Sequence, residues 1–401
     1  MLIVQKYGGT SVGNLERIDS VANRVAKSKR DGNRLVVVVS AMSGETNKLV
    51  GYANHFSKNP PKAEMDMLLS SGERVTASLL AIALNEMGID AIAMTGREAG
   101  IKTDNNHTYA RIESINITSI IESLNDGKVI VVAGFQGISS DGRVSTLGRG
   151  GSDLSAVAIA GALKANACEI YSDVDGIYTT DPRIEPKAKK MNFISYDEML
   201  ELASLGAKVL QSRSVELAKK LNVRIIAKSS FSDAEGTIIE KEIKEMEAVL
   251  VSGIALDRDQ ARVTVREVSD RPGIAAEIFT MLAEKQVNVD MIIQNASTDG
   301  TTNLGFTVRA SEIEDAKRVI SNFDHDIGSM DFDANICKVS VVGVGMKSHS
   351  GVAAKAFSAM AEKSINIEMI STSEIKVSMI IDEKSGELAV QTLHNTYELD
   401  K

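Results

Sequence analysis

Two short stretches carry residue types that could handle a polyanion. In "TLGRGGSD" (residues 146–153), Gly148, Gly150 and Gly151 surround Arg149, and Asp153 follows just inside an apolar run of mostly small residues. Helix starts expose unpaired backbone N–H groups and a partial positive charge, so they attract anions. Glycines let the backbone approach a ligand and take positive φ. Arg149 adds a planar fork suited to carboxylate or phosphate. In "KYGGTS" (residues 6–11), Lys6 ends an apolar strand, and Gly8, Gly9, Thr10 and Ser11 then present N–H groups and hydroxyls. Neither stretch matches the P-loop pattern, and no G-x-G-x-x-G follows a strand, which weakens a dinucleotide reading. Taken alone, each also suits a plain turn with a solvated cation. A third loop, "YSDVDGIYTTDPR", supplies Ser172, Asp173, Tyr178, Asp181 and Arg183, a mix suited to a nucleotide. Lys208 in "LASLGAKVLQSRS" either reaches the same crevice or is a solvated helix lysine.

These loops need a frame that brings them together. Over the first 230 residues, short apolar runs alternate with longer amphipathic segments. "LIVQKY", "RLVVVV", "DAIAM", "KVIVVA" and "NACEIYS" read as strands, and "NLERIDSVANRVAKSK" and "GERVTASLLAIALNEM" as helices. That alternation predicts an α/β fold with a mainly parallel sheet covered on both faces. Ligands then sit beyond the carboxyl ends of the strands, where the glycine and polar clusters fall. Residues 231–246 are polar and charge-rich and read as a linker.

Beyond it the chain repeats itself. Residues 273–292, "GIAAEIFTMLAEKQVNVDMI", align without gaps on 351–370, "GVAAKAFSAMAEKSINIEMI", at an offset of 78 with ten of 20 positions identical. Each copy follows a β-branched strand and precedes another strand pair, so two β-α-β-β units are predicted.

Composition bounds the function. The 401 residues are 43% apolar and 25% charged, enough for two or three domains with real cores. A formal charge of −9, no Trp and 4% aromatics argue against a nucleic-acid surface. Cys168 and Cys337 stand apart with no metal-ligand spacing and read as reduced thiols. With no charged leader and no uninterrupted apolar run of about 18 residues, the expectation is a cytoplasmic protein without a membrane span.

In order and spacing, "KYGGTS", "SAMSGETNKL", "MDMLLSSGERV", "VAGFQG", "TLGRGGSD" and "YSDVDGIYTTDPR" resemble the motifs of the aspartate kinase family, and the repeat resembles its paired ACT domains. The resemblance covers essentially the whole chain. It implies an amino-acid-kinase-like three-layer sandwich over 1–230, followed by two βαββαβ ferredoxin-like ACT domains. The first would span about 261–335 and the second about 247–260 plus 336–401. It implies transfer of the ATP γ-phosphoryl group to the side-chain carboxylate of L-aspartate, with Mg²⁺ as the phosphate counter-ion. In that reading Lys6, Tyr7, Gly8 and Gly9 meet the ATP phosphates, and Lys6 and Asp153 are catalytic. Ser40, Ser172, Asp173, Tyr178, Asp181, Arg183 and Lys208 line the nucleotide pocket. Arg149 clamps the α-carboxylate of aspartate, Glu73 pairs with its ammonium, and Thr46, Gly150, Gly151 and Ser152 help seat it. Glu73 in "SGERV" also fits the acid favoured in a helix's first turn.

The resemblance further implies amino-acid effectors, lysine and/or threonine, and a homo-oligomer formed through the ACT units. Asp270, Ala275, Ala276, Asn288, Val289, Asp290 and Gln294 would form one effector site. Met346, Val352, Asn366, Ile367, Ser373 and Glu374 would form its counterpart. Ser350 and Ala353 depart from the proline and threonine common in the family, which puts ligand binding by the second unit in doubt. Kinases of the same fold acting on glutamate, acetylglutamate or a nucleoside monophosphate are the alternatives within enzymes. A non-catalytic amino-acid sensor is the alternative outside them.

Overall fold

The computed structural model describes residues 1–204, 209–241, 250–295, 300–323, 327–347 and 351–401. Lys208, Ser350 and the 242–246 end of the expected linker lie outside the described residues. The chain forms two compact units. One holds most of residues 1–241, and the other gathers Tyr178–Lys189 with the region from residue 250 onward.

In the first unit Leu2–Tyr7 lies in the middle of an eight-stranded sheet, paired in parallel with Arg34–Val39 and Ala167–Ser172. Val129–Ala133 and Ala91–Met94 extend one side. Ile225–Ser229, Thr237–Glu240 and Phe193–Ser195 extend the other, with one antiparallel pairing, Ile225–Ser229 against Thr237–Glu240. The middle of the region read as a linker is therefore sheet. Polar and glycine-rich flanks hid a four-residue strand, paired on both sides, whose Ile239 is wholly buried.

The β-branched run Leu35–Val39 is buried on both faces, as a central parallel strand requires. The Leu15–Arg30 helix covers one face with Ile18, Val21, Ala22 and Val25, at helical spacing. Asn14 caps it by accepting from Arg17 N at 2.9 Å, and Lys27, Lys29 and Arg30 complement its carboxyl end. The Gly151–Leu163 helix is buried from Gly151 through Ala160, because its small side chains let it lie between neighbours on all sides.

A second, four-stranded sheet was not foreseen. Gln136–Ser139 and Val144–Thr146 form a hairpin, and Ile101–Thr103 and Ile112–Ile115 continue it. "VIVVAGFQGIS" is thus two strands in different sheets, split at Gly134 and Phe135, where Phe135 takes φ 67°. The helical run Lys62–Glu86 is the one stretch among the described residues long and apolar enough to cross a membrane. Half of it is buried in the fold, and it carries buried Asp66 and Glu73.

In the second unit the repeats share one six-stranded antiparallel sheet. Two long strands, Gly253–Ser269 and Ser329–Val342, run through both, with register shifts near Gln260 where the ribbon passes from one repeat to the other. Ala261, Val263, Val265, Ile278 and Phe306 centre one core, and Ile254, Val339, Val341, Met360 and Leu393 the other. The repeats also exchange ion pairs from matching positions. Asp290 meets buried Lys338 of the later repeat, and its counterpart Glu368 meets Arg262 of the earlier one.

Candidate active site

The strand ends of the first unit gather three buried charged side chains. Lys6 leaves Leu2–Tyr7 and Asp153 sits in the first turn of the Gly151–Leu163 helix. Lys6 Nζ is 2.6 Å from Asp153 Oδ1, and each side chain is 10% exposed. Burying such a pair costs desolvation, so its retention at a strand end signals chemistry more than stability. Around Lys6 the backbone turns tightly. Gly8 N–H donates to Tyr171 O at 3.1 Å, and Ser11 N–H to Gly8 O at 2.9 Å. A Cβ at Gly9 would stand 3.1 Å from Ala41 O, so any larger residue would press these two loops apart by a few tenths of an ångström.

Gly150 heads the Gly151–Leu163 helix with φ 69° and no side-chain cap; Gly151 N–H and Asp153 N–H turn back to Gly148 O and Gly150 O at 3.0 and 3.1 Å, which leaves the Ser152 N–H as the first-turn donor for an anion. Ser152 Oγ lies 2.7 Å from Ser40 Oγ, which joins this helix start to the end of Arg34–Val39. A Cβ at Gly134 would stand 2.8 Å from Ser152 Cβ. The "VAGFQG" glycine thus exists to let the helix approach.

Glu73 is 4% exposed. Its Oε1 accepts from Ala41 N–H at 3.2 Å, while Oε2 is buried with no partner among the described residues. Burial pushes its carboxyl up to about 7, against the pull of hydrogen bonds from its own backbone and Ala41. A buried oxygen without a donor invites a cation from outside the chain. Thr46, half-buried, stands in the first turn of the neighbouring Glu45–Phe56 helix. Arg149 is exposed and makes no hydrogen bond or ion pair among the described residues.

Other nominated residues fall differently. The Tyr7 side chain is fully buried and stacked on Tyr171 at 4.7 Å, so only its backbone can serve a nucleotide. Ser172 folds into its own turn, accepting from Val174 N–H at 3.3 Å, and Asp173 is exposed. Asp181 and Arg183 pair with each other at 2.6 Å, and that hydrogen bond holds the Asp181 carboxyl below its usual range. They and Tyr178 lie on the segment grouped with the second unit.

In the repeats, Asp270, Ala276, Asn288, Gln294, Asn366, Ser373 and Glu374 are exposed, whereas Ala275, Val289, Met346 and Ile367 are half-buried. The Val352 side chain lies in the hydrophobic core, so only its backbone could meet an effector. Asp290 likewise spends its carboxylate on Lys338.

The sequence reading missed a buried anchor. Asp66 is wholly buried and holds His107 Nδ1 at 2.6 Å, Thr108 N–H at 3.0 Å and Thr146 Oγ1 at 2.5 Å. It ties the loop at 104–110 to the strand that delivers Arg149. An acid buried within "MDMLLSSGERV", seven residues before Glu73, was the available signal, and an amphipathic helix pattern hid it.

Family models match both regions: the amino acid kinase family over residues 1–227, and the ACT domain over 263–322 and 339–397. Aspartokinase of Helicobacter pylori strain J99 is 58% identical over 405 residues, with all of both chains covered. Among solved structures, Escherichia coli aspartokinase III in complex with aspartate and ADP superposes with a TM-score of 0.81 at 26% identity, covering 99% of each chain. The same enzyme with lysine and aspartate, described as the T-state, gives 0.78 at 25% identity with the same coverage. A relative matched from end to end at this identity, with both family models in the same order, decides the matter: the chain is an ATP-dependent phosphotransferase and belongs to the aspartate kinase family.

Proposed function

We propose that the chain transfers the γ-phosphoryl group of ATP to the side-chain carboxylate of L-aspartate, giving 4-phospho-L-aspartate and ADP. The reaction would open the route to lysine, threonine and methionine. A carboxylate with an ordinary pKa near 4 is already ionised and needs no general base. Its oxygen attacks the γ-phosphorus, and the bond from that phosphorus to the bridging oxygen of ADP breaks in line. The barrier lies in holding two anions together, so catalysis is positioning plus positive charge.

The observation that carries this reading is the Lys6–Asp153 pair beside an uncapped helix start. Lys6 meets the transferring phosphoryl group, with Asp153 holding the ammonium in place. The N–H groups of Gly9, Thr10 and Ser152 receive phosphate oxygens. Ser40, Ser172, Asp173, Tyr178, Asp181, Arg183 and Lys208 remain our assignment for the rest of the nucleotide, with Tyr7 through its backbone. Glu73 Oε2 takes the substrate ammonium, Arg149 its α-carboxylate, and Thr46, Gly150, Gly151 and Ser152 complete the seat.

No group of three or more His, Cys, Asp or Glu side chains is gathered among the described residues. That suits Mg²⁺ carried mainly by the phosphates and water, where it neutralises charge.

The ACT repeats take lysine and/or threonine, a reading supported by the lysine in the Escherichia coli T-state structure. The chain acts in the cytoplasm as a homo-oligomer built through these repeats. The test is ADP release with aspartate against glutamate, acetylglutamate and UMP, with lysine and threonine added singly and together. Aspartate alone should support turnover, and an effector should depress it. Turnover with another acceptor, or none under any effector condition, overturns the reading.

A further inference from the structure

The loop that carries Arg149 is held by a side chain to which the motifs above give no role. Arg213 is the second residue of the Ser212–Leu221 helix. Its Nη1 donates to Leu147 O at 2.7 Å and its Nη2 to Ala110 O at 3.0 Å. Its guanidinium carbon lies 4.6 Å from the centroid of the Tyr109 ring. Leu147 is wholly buried, two residues before Arg149.

The glycines that follow are wedged by the same neighbours. A Cβ at Gly148 would stand 2.7 Å from Tyr109 Cδ2, and one at Gly150 would stand 2.5 Å from Gln211 Cγ. Gln211 is itself fixed, because its side chain caps the Ser212–Leu221 helix by accepting from Ser214 N–H at 3.2 Å. The turn from Leu147 to Gly150 thus lies in a slot with Tyr109 and Gln211 as walls and the Arg213 fork beneath it. Among the described residues Arg149 has no bond of its own to aim it, so the direction of its guanidinium follows from how firmly this slot holds the backbone.

We infer that Arg213 is the positioning residue of the substrate-carboxylate clamp, fixing the turn from which Arg149 reaches the α-carboxylate. A preformed turn spares the binding step the entropy of ordering it. Arginine is required because one planar group must satisfy two carbonyls and stack on a ring at once, which a lysine cannot do. The inference rests on Arg149 being the clamp.

The test is steady-state kinetics on the full chain with both substrates varied, for Arg213→Ala, Arg213→Lys, Arg149→Ala and the double variant Arg149→Ala/Arg213→Ala. Arg213→Ala is expected to raise KM for aspartate about tenfold with KM for ATP unchanged and kcat within about threefold. Arg213→Lys should recover part of that loss, and added guanidinium should restore Arg213→Ala. The double variant should be no worse than Arg149→Ala alone, because a clamp that is absent has nothing left to be aimed.

Equal weakening toward both substrates, a fall in kcat alone, or additive losses in the double variant would each overturn the inference. If Arg213→Ala does not fold, Arg213→Lys carries the same expectation at smaller size. Should Arg149→Ala leave KM for aspartate unchanged, the assignment of the substrate site itself falls. Should Arg149→Ala raise it while neither Arg213 variant does, only the positioning role falls.

Discussion

The strand-end site and the paired repeats use the same local device, a glycine before a helix, and build it in opposite ways. In the first unit the device is compressed. A Cβ at Gly150, which heads the helix, would meet Gln211 Cγ at 2.5 Å, one at Gly134 against the same helix start would meet Ser152 Cβ at 2.8 Å, and Lys6, Glu73 and Asp153 are all nearly dry. In the repeats it is open. Among the described residues Gly351, with φ 101°, has nothing within 4 Å of its would-be Cβ, and Gly273 has only Glu277 Oε1 at 3.9 Å. Asp270, Asn288 and Asn366 around them are exposed. Stabilising a transition state needs charges fixed beforehand in a dry place. An effector site must differ between two states of the protein, and a loosely built loop leaves room for that difference.

The sharpest way to break this contrast is to remove the dry charge. Lys6→Ala should lower kcat by about a thousandfold or more in a coupled ADP assay, with aspartate KM little changed. A loss of only a few-fold would mean that the buried pair is structural.

Next comes Arg149→Ala. It should raise KM for aspartate by about 10- to 100-fold, the loss of a charge-assisted bond, and leave KM for ATP within about twofold. Equal weakening of both substrates would place Arg149 on the nucleotide instead.

Glu73 sharpens the contrast through pH. With its carboxyl near 7 in the free protein, Glu73 must ionise to accept an ammonium, so KM for aspartate should climb about tenfold between pH 8 and pH 6. Glu73→Gln should abolish that slope. The sign on stability is the reverse of the usual acid. Below pH 4.5 the folded and unfolded carboxyls are both protonated and Glu73 costs nothing. The cost grows as pH rises to 7 and then stays, at up to about 3 kcal/mol. In thermal melts, Glu73→Gln should therefore be the more stable protein at pH 8 and equal to the parent at pH 4.

The smallest effects compare the glycines themselves. Gly134→Ala should cost ~1–3 kcal/mol by overpacking against Ser152 and Val38, whereas Gly351→Ala should cost about 1 kcal/mol from its positive φ alone. Equal losses in denaturant melts would erase the distinction.

Much of this site was legible because the glycines and charges it uses are rare in combination. Lys6, Arg149 and Asp153 announce themselves in runs where nothing else explains three glycines in six positions. The repeats were legible because the offset of 78 preserves loop, helix and strand together.

What stayed hidden was of two physical kinds. Thr237–Glu240 is too short and too plainly flanked to show a strand period, and only its pairing between two other strands makes it one. Asp66 and Arg213 carry no glycine signature. Each sits in an ordinary helix and acts on residues far away in sequence, Thr146 and Leu147, so no window of letters contains the pair. At Tyr7 and Val352 the letters are silent in the opposite sense, since burial of the side chain leaves only the backbone to act.

Two look-alike modules on one chain are usually free to melt separately. Here the Gly253–Ser269 and Ser329–Val342 strands belong to both, so neither repeat can lose its central ribbon while the other keeps it. A calorimeter should therefore record a single cooperative endotherm for the pair. Damage confined to the core of one half, such as Val263→Ala, should lower the midpoint for both.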